Sequence, residues 1–300
     1  MANKKGYFVT LGADPEIFVR STEDKQVYPV CGLIGGTKEE PIYWGSRGSA
    51  GGYAYQEDGC AFEFNVPAAP TYDHMDSYMK QVAKLTQALL SEKKLTPHIA
   101  PSFHFRKDQL TDQRANVLGC SPDLDAYGAN DGATVRKTLD VAQFGNTRFA
   151  GGHIHVGYNK DKVPSWAMAR FLDVLVGLPS LTRDKQGARR QYYGLPGLFR
   201  DKPYGVEYRT LSNYWVKPYF DGSDHTHSYY LFGQVFDLAH VANNNPELLS
   251  NAFKIVPWDD VKDAITQENT KLGKEIWDYA YKVAKLPCRF GSYLWKELKP

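Results

Sequence analysis

Alternation of apolar and polar residues dominates five stretches of the chain and predicts β-strands there. These stretches cover residues 7–19, 53–66, 98–105, 146–158 and 204–213. Apolar residues at helical spacing instead predict a helix that begins at Asp73, as N-cap, and continues through Leu89. A second helix is predicted over residues 165–178, and the chain from about residue 228 is predicted to be mainly helical.

The predicted strands favour an antiparallel sheet. They lack the continuous apolar runs of buried parallel strands, and the chain has no glycine-rich phosphate loop of the doubly wound folds. We therefore predict an α+β fold in a single domain over residues 1–300. Its antiparallel β-sheet would have helices packed on one face and a charged, concave site on the other.

Pairs of ionisable residues interrupt four of these strands, and each pair shares a face because side chains alternate along a strand. The pairs are Asp14 with Glu16, Glu57 with Glu63, His153 with His155, and Glu207 with Arg209. Any one pair is most simply a solvated strand face. Four pairs in one chain indicate that the charged face is a site, since charged residues are seldom buried unless paired or metal-bound.

The histidine pair lies in a glycine-bracketed segment, Gly-Gly-His-Ile-His-Val-Gly, at residues 151–157. Glycines there allow a ligand or another backbone segment to approach closely. Imidazole combined with carboxylates, without clustered thiolates, suits Mg²⁺ or Mn²⁺ better than a structural zinc ion. The predicted site is therefore a divalent-cation site.

Composition narrows the class of protein. The net charge is +2 over 300 residues, so nucleic acid is not an expected partner. No apolar run reaches the roughly 18 residues of a membrane span, and the N-terminus does not resemble a signal peptide. The four cysteines are scattered without a C-x-x-C motif, at Cys31, Cys60, Cys120 and Cys288. We expect a cytoplasmic protein with reduced thiols.

Arginines add a phosphate-binding signal beside the predicted metal face. Arg189, Arg190 and Arg200 lie on a glycine-containing connection that leads to the strand of Glu207 and Arg209. Arginine binds phosphate and carboxylate in a planar, bidentate way. This combination predicts phosphoryl transfer. A solvated basic loop is the alternative for Arg189 and Arg190, whereas strand parity fixes Arg209 beside Glu207.

The ordered motifs resemble the glutamine synthetase and glutamate–cysteine ligase superfamily, and within it the phage-encoded COOH–NH2 ligases (amidoligases, type 2). The resemblance spans residues 12–215. It is carried by Gly-Ala-Asp-Pro-Glu-Ile-Phe at 12–18, Asp-Gly at 58–59 with Glu-Phe-Asn-Val-Pro at 63–67, the histidine motif, Phe-Arg at 199–200, and Glu-Tyr-Arg-Thr-Leu-Ser-Asn at 207–213. It implies a fold like the catalytic domain of glutamine synthetase.

The resemblance also implies roles for individual residues. The implied metal ligands are Asp14, Glu16, Glu57, Glu63, His153 and Glu207. The implied contacts to nucleotide phosphates are His155, Arg190, Arg200 and Arg209. Arg200, Arg209 and Glu63 would act directly in catalysis, and Asp58 is a candidate general base.

The implied reaction is ATP-dependent amide or peptide bond formation through an acyl-phosphate. It would use ATP with two to three Mg²⁺ or Mn²⁺ ions, an amino-acid or peptide carboxylate, and an amine. Two alternatives remain open from the residues. One is a cupin-like metalloenzyme, because cupin barrels also carry His-x-His. The other is a non-catalytic phage protein that binds metal or nucleotide or has a structural role.

Overall fold

The structure is a computed structural model that describes residues 8–45, 52–116, 123–129, 132–137 and 139–296. Its strands are β1 Thr10–Ala13, β2 Glu16–Ser21, β3 Val27–Tyr28, β4 Ile42–Tyr43, β5 Ala54–Asp58, β6 Ala61–Asn65, β7 Leu95–His98, β8 Ser102–His104, β9 Leu124–Ala129, β10 Gly132–Val135, β11 Thr147–Phe149, β12 Ile154–Gly157, β13 Leu198–Lys202 and β14 Gly205–Tyr208. Its α-helices are α1 Tyr72–Glu92, α2 Ser165–Leu172, α3 Leu178–Ser180, α4 Ala188–Tyr192, α5 Lys217–Asp221, α6 Thr226–Asn244, α7 Pro246–Phe253, α8 Trp258–Thr266, α9 Thr270–Lys282 and α10 Gly291–Leu294. A π-helical segment, Asp173–Gly177, joins α2 to α3.

Two larger antiparallel sheets replace the single sheet that the sequence predicts. The first has the strand order β1-β12-β14-β13-β9-β10. The second has the order β3-β2-β6-β5-β4, with β7 also paired to β2. Strands β8 and β11 form a separate two-stranded ribbon. The α+β class with antiparallel pairing is confirmed.

The predicted strand over residues 7–19 is wrong in one respect, because it is two strands that belong to different sheets. β1 pairs with β12 in the first sheet, and β2 pairs with β6 in the second. The chain changes sheet at Asp14-Pro15, where proline cannot donate to a strand ladder. The stretch after β6 spans the junction, since Val66 N–H donates to Ala13 O at 3.3 Å. The two sheets therefore meet at Asp14 and Glu16.

The predicted strand over residues 53–66 is likewise a hairpin of β5 and β6. Its two-residue loop is Gly59-Cys60, and Gly59 has a φ of +56°, which favours glycine. The pairing places Gln56 opposite Glu63 and Glu57 opposite Phe62. Glu57 and Glu63 therefore lie on opposite faces, and the expectation of a shared face is wrong.

Helices cover the apolar face of the first sheet. Helix α2 packs on β14. Val206 and Tyr208 of this strand are fully buried, and they alternate in the sequence with Glu207 and Arg209. Helix α6 packs on β12 and β1. The charged side chains of these strands therefore lie on the opposite face, as the alternation predicts.

The first long helix begins two residues earlier than predicted. Thr71, not Asp73, is the N-cap of α1, because its hydroxyl oxygen accepts the His74 N–H at 3.2 Å. The described chain from Thr226 onward contains helices and no strand, which agrees with the helical C-terminal part expected from about residue 228. None of the described helices combines the length and apolarity that a membrane span requires.

Candidate active site

A cluster of histidines and carboxylates forms where β1, β12 and β14 lie side by side. The register pairs His155 with Gly12 on one side and with Glu207 on the other. Asp14, just after β1, has its Oδ2 3.0 Å from His155 Nε2 and its Oδ1 3.4 Å from His153 Nδ1. Ligand atoms of Asp14, His155 and Glu207 all lie within 4.8 Å of one another. We call these three residues the histidine cluster.

Glu207 is the carboxylate of this cluster that contacts several positively charged side chains. Its side chain is fully buried and accepts a hydrogen bond from Arg209. Arg200 Nη1 is 3.4 Å from Glu207 Oε1, and Lys202 Nζ is 2.7 Å from Glu207 Oε2. Asp123 joins the two arginines, with its Oδ1 3.0 Å from Arg209 Nε and 3.3 Å from Arg200 Nε.

These cations keep the histidine cluster charged. Burial alone would raise the pKa of Glu207, but Arg209 outweighs burial and brings that pKa to about 2. Burial also opposes ionisation of Asp14, and the neighbouring His155 nevertheless holds the pKa of Asp14 well below its usual value. Burial lowers the pKa of His155, while Asp14 raises it above the ordinary value. Asp14 and His155 are therefore an ion pair.

A second cluster contains only carboxylates. Glu16 at the start of β2 faces Glu63 on β6 in the strand register, and Asp58 ends the neighbouring strand β5. Ligand atoms of Glu16, Asp58 and Glu63 all lie within 4.8 Å of one another. We call these three residues the acidic cluster. Because Asp14 and Glu16 flank Pro15, the two clusters are neighbours.

Burial and repulsion between like charges raise the pKa values of two acids in the acidic cluster. Burial, followed by repulsion from Asp14, Asp58 and Glu16, raises the pKa of Glu63 well above its usual value, although Lys38 opposes this. Burial also raises the pKa of Glu16, with His153 opposing it. A divalent cation bound among these carboxylates would offset the cost of ionising Glu16 and Glu63. Their arrangement thus suits a divalent ion.

The glycines before the histidines allow the two clusters to approach each other. A Cβ on Gly151 would lie 2.2 Å from His153 Nε2, so the imidazole folds back over this residue. Gly151 N–H also donates to Glu16 Oε2 at 2.7 Å, and Glu16 N–H donates to Gly151 O at 2.9 Å. A side chain at residue 151 would separate His153 from Glu16.

A cavity of about 70 Å³ lies between the acidic cluster and two arginines. Glu16 and Asp58 line it with His153, Arg189 and Arg209. Three aromatic side chains line another side of the cavity, and we call them the aromatic wall: Phe144, Phe149 and Tyr193. The centroids of their rings lie 5.1 to 6.4 Å apart. The cavity can hold a small polar group or several waters.

Two of the predicted site residues, Glu57 and Arg190, form their ion pairs outside both clusters. Glu57 faces away from the acidic cluster and accepts the backbone N–H groups of Gly32, Ile34 and Gly35. Arg114 Nη1 lies 2.9 Å from its Oε2. Glu57 therefore anchors the loop before β4.

Arg190 also lies outside the clusters. Its Nε is 3.5 Å from Glu268 Oε1, and its guanidinium donates to Gly194 O. Arg189, the residue before it, instead lines the cavity and donates to Arg209 O at 3.2 Å. Arg189 is almost fully buried, and burial lowers its pKa to about 10. Arg189 is the better candidate for binding an anion.

The two histidines hold different positions. Both contact Asp14, as strand parity predicts, but it is His155 that is grouped with Asp14 and Glu207. His153 lies between Arg209, whose Nη1 is 3.1 Å from His153 Nδ1, and the cavity. Metal binding by His153 stays a prediction, and the geometry favours His155 as the ligand.

Two residues of the site were not predicted from the sequence. Lys202 shares parity with Arg200 on β13, so the alternation could have indicated it. Asp123 has no such signal, because long-range folding brings it to the arginines. A third residue, Asp58, was considered as a base but not as a ligand. The Asp-Gly sequence that it begins is a hairpin signal that could have placed it opposite Ala61.

Comparison with known protein families supports the resemblance to COOH–NH2 ligases. Residues 142–253 match the sequence model of a family described as phage phiEco32-like COOH.NH2 ligase-type 2. The matched segment includes the histidine pair, Arg189 and the strands of Arg200 and Glu207, whereas the acidic cluster precedes it. A comparison with curated proteins gave no match. The resemblance to these ligases is confirmed, and the match to their family model covers residues 142–253 of the chain.

Proposed function

We propose that the protein is an ATP-dependent carboxylate–amine ligase that forms an amide or peptide bond through an acyl-phosphate. The observation that carries the proposal is the meeting of two ligand clusters at Asp14-Pro15-Glu16, where Glu16 and Asp58 line the same cavity as Arg189 and Arg209. Carboxylates activated by phosphoryl transfer need this combination of cation sites and fixed guanidinium groups.

The donor sets suit hard divalent cations. Asp14 Oδ1, His155 Nε2 and Glu207 Oε2 are buried, and their partners are the charged side chains of the same site. Oxygen ligands with one imidazole match Mg²⁺ or Mn²⁺. Asp14, Glu207 and His155 would hold one ion once His155 has given up its proton, and Glu16, Asp58 and Glu63 would hold another. Bound ions would neutralise charge on ATP and on the transferred phosphoryl group.

The chain's own residues would bind and orient the substrates. Arg209 is held by Glu207 and Asp123, so its planar guanidinium is fixed in direction before a ligand arrives. Arg189 and Arg209 would direct the substrate carboxylate and the phosphoryl group toward each other in the cavity. The aromatic wall of Phe144, Phe149 and Tyr193 would limit the access of water to the acyl-phosphate.

The amine must lose a proton as it attacks the acyl-phosphate. Asp58 lines the cavity as part of the acidic cluster, and a carboxylate there can accept a proton from an ammonium group. We assign the proton acceptor to the acidic cluster, and the amine substrate to the side of the cavity that this cluster lines.

Phosphate release from ATP tests the proposal. The protein with Mg²⁺ or Mn²⁺ is supplied with pools of carboxylates, of amines, or of both. The proposal predicts release that requires both pools, and a labelled carboxylate oxygen that appears in the released phosphate. Release without any carboxylate would indicate an ATPase. Absence of ATP binding would favour a non-catalytic protein.

A further inference from the structure

Two cysteines meet beside the acidic cluster. Cys31 follows β3 and packs against the apolar cluster that contains Cys60. Val30 N–H donates to Cys60 O at 3.3 Å, and the Cys31 thiol donates to Gly59 O at 3.0 Å. Because Gly59 directly precedes Cys60, this hydrogen bond places the Cys31 thiol beside Cys60. Residues 29 positions apart in the chain are thereby brought together.

The two thiols differ in exposure and reactivity, as disulfide formation by a peroxide requires of its two partners. Cys31 is partly exposed, and the neighbouring Cys60 thiol lowers the pKa of the Cys31 thiol. Cys60 is only 4% exposed, so solvent and oxidants reach its thiol far less readily. Cys31 is therefore the accessible nucleophile, and Cys60 is the protected thiol behind it.

Cys60 also connects the pair to the site. It lines the same cavity as Glu16, and only Gly59 separates it from Asp58. The Cys60 thiol lies 3.7 Å from Ala115 O. Movement of its sulfur toward Cys31 would therefore act on the turn that holds Asp58 in the acidic cluster.

We propose that Cys31 and Cys60 are a modification site at which a peroxide forms a disulfide that weakens cation binding by the acidic cluster. The Cys31 thiolate attacks one peroxide oxygen, the O–O bond breaks, and hydroxide leaves to become water. The Cys60 sulfur then attacks the sulfenic sulfur of Cys31, the S–O bond breaks, and a second water leaves with the Cys60 proton. Two thiols are oxidised as one hydrogen peroxide is reduced to two waters.

The chemical arm of the test uses the full chain with Cys120→Ser and Cys288→Ser, so that only the pair remains. Cys120 lies outside the described residues, and Cys288 is buried with a pKa raised to about 12. Hydrogen peroxide is expected to remove the mass of two hydrogen atoms and to link the two cysteine peptides, reversibly with dithiothreitol. With Cys60→Ser added, Cys31 should instead be trapped as a sulfenic acid by dimedone. Stepwise oxygen addition to Cys31 without linkage, while Cys60 is present, would overturn the proposal.

The functional arm compares Mn²⁺ binding by the reduced and oxidised forms of that variant. This arm rests on the proposed function, and the disulfide itself does not. We expect oxidation to weaken Mn²⁺ binding about tenfold, since displaced neighbours of metal ligands have effects of that size. Equal affinity in both forms would overturn the coupling. A reduced protein that binds no Mn²⁺, but still forms the disulfide, would contradict the proposed function and leave the modification site standing.

Discussion

The histidine cluster and the acidic cluster are neighbours, but they balance their charge in different ways. Glu207 in the histidine cluster contacts Lys202, Arg200 and Arg209, and its pKa falls to about 2. Glu63 in the acidic cluster is surrounded mainly by other acids, and its pKa rises. The first cluster is stable through the chain's own cations. The second depends on an added cation, so ligand binding should affect it more strongly.

The largest predicted effect comes from Glu63→Gln, with Glu57→Gln as the matched control in the same hairpin. Glu63→Gln should reduce ATP-dependent phosphate release on the order of 1,000-fold, because a bound ion contributes several kcal/mol to charge stabilisation. Glu57→Gln should leave the release within about threefold and lower the melting temperature, because it weakens contacts to Gly32, Ile34 and Arg114. Equal losses of activity in both variants would contradict the separation of the two carboxylates.

Arg209→Lys should have the next largest effect, with Arg190→Lys as its control. Lysine lacks the planar fork that lets Arg209 contact Glu207 and Asp123 at once. We expect phosphate release to fall about 100-fold in Arg209→Lys. Arg190→Lys should change it little, because Arg190 contacts Glu268 and Gly194. Full activity of Arg209→Lys would mean that this arginine only balances Glu207.

Strand parity predicted the histidine cluster from sequence better than the acidic cluster, and the reason is local. No turn separates His153 from His155 or Glu207 from Arg209, so alternation holds within each pair. The Gly59-Cys60 turn intervenes between Glu57 and Glu63 and reverses their relation. Pro15 separates Asp14 from Glu16 and sends them to different clusters. Parity is informative only within one uninterrupted strand.

The rest of the site could not be predicted from sequence patterns, because long-range packing positions its residues. Asp123 contacts Arg200 and Arg209 only because β9 pairs with β13. Arg189 and Arg190 are adjacent in sequence, and the short helix α4 points one toward the cavity and the other toward Glu268. Alternation along the chain contains no information on either arrangement. The α+β class, by contrast, followed from local periodicity.

Lys202→Met tests whether the chain's own cations limit Mn²⁺ binding at the histidine cluster. Lys202 competes with any cation for Glu207 Oε2, so its loss should tighten Mn²⁺ binding there about tenfold, or about 1.4 kcal/mol. Lys160→Met is the matched control, because Lys160 pairs with Asp201 at 2.7 Å on the same strand β13. Calorimetric titration measures both. Weaker Mn²⁺ binding in Lys202→Met would show that Lys202 supports the cation site.

The smallest predicted effect is on stability as a function of pH. The pKa of Glu63 is raised on folding, so the metal-free protein should lose stability as pH rises from about 4.5 through that raised pKa. Cation binding offsets this loss. Mn²⁺ should therefore raise the melting temperature by several degrees more at about pH 8 than at about pH 5. In Glu63→Gln, that difference should be much smaller, whereas an unchanged difference would contradict the assignment to Glu63.

Counting bound Mn²⁺ by electron paramagnetic resonance at about pH 8 tests the central claim most directly. We expect two ions per chain in the wild-type protein and one ion in Glu63→Gln, since the histidine cluster keeps its own ligands. We also expect two ions in Glu57→Gln. A wild-type count below two, or a count of two in Glu63→Gln, would contradict the existence of two cation sites that meet at Asp14 and Glu16.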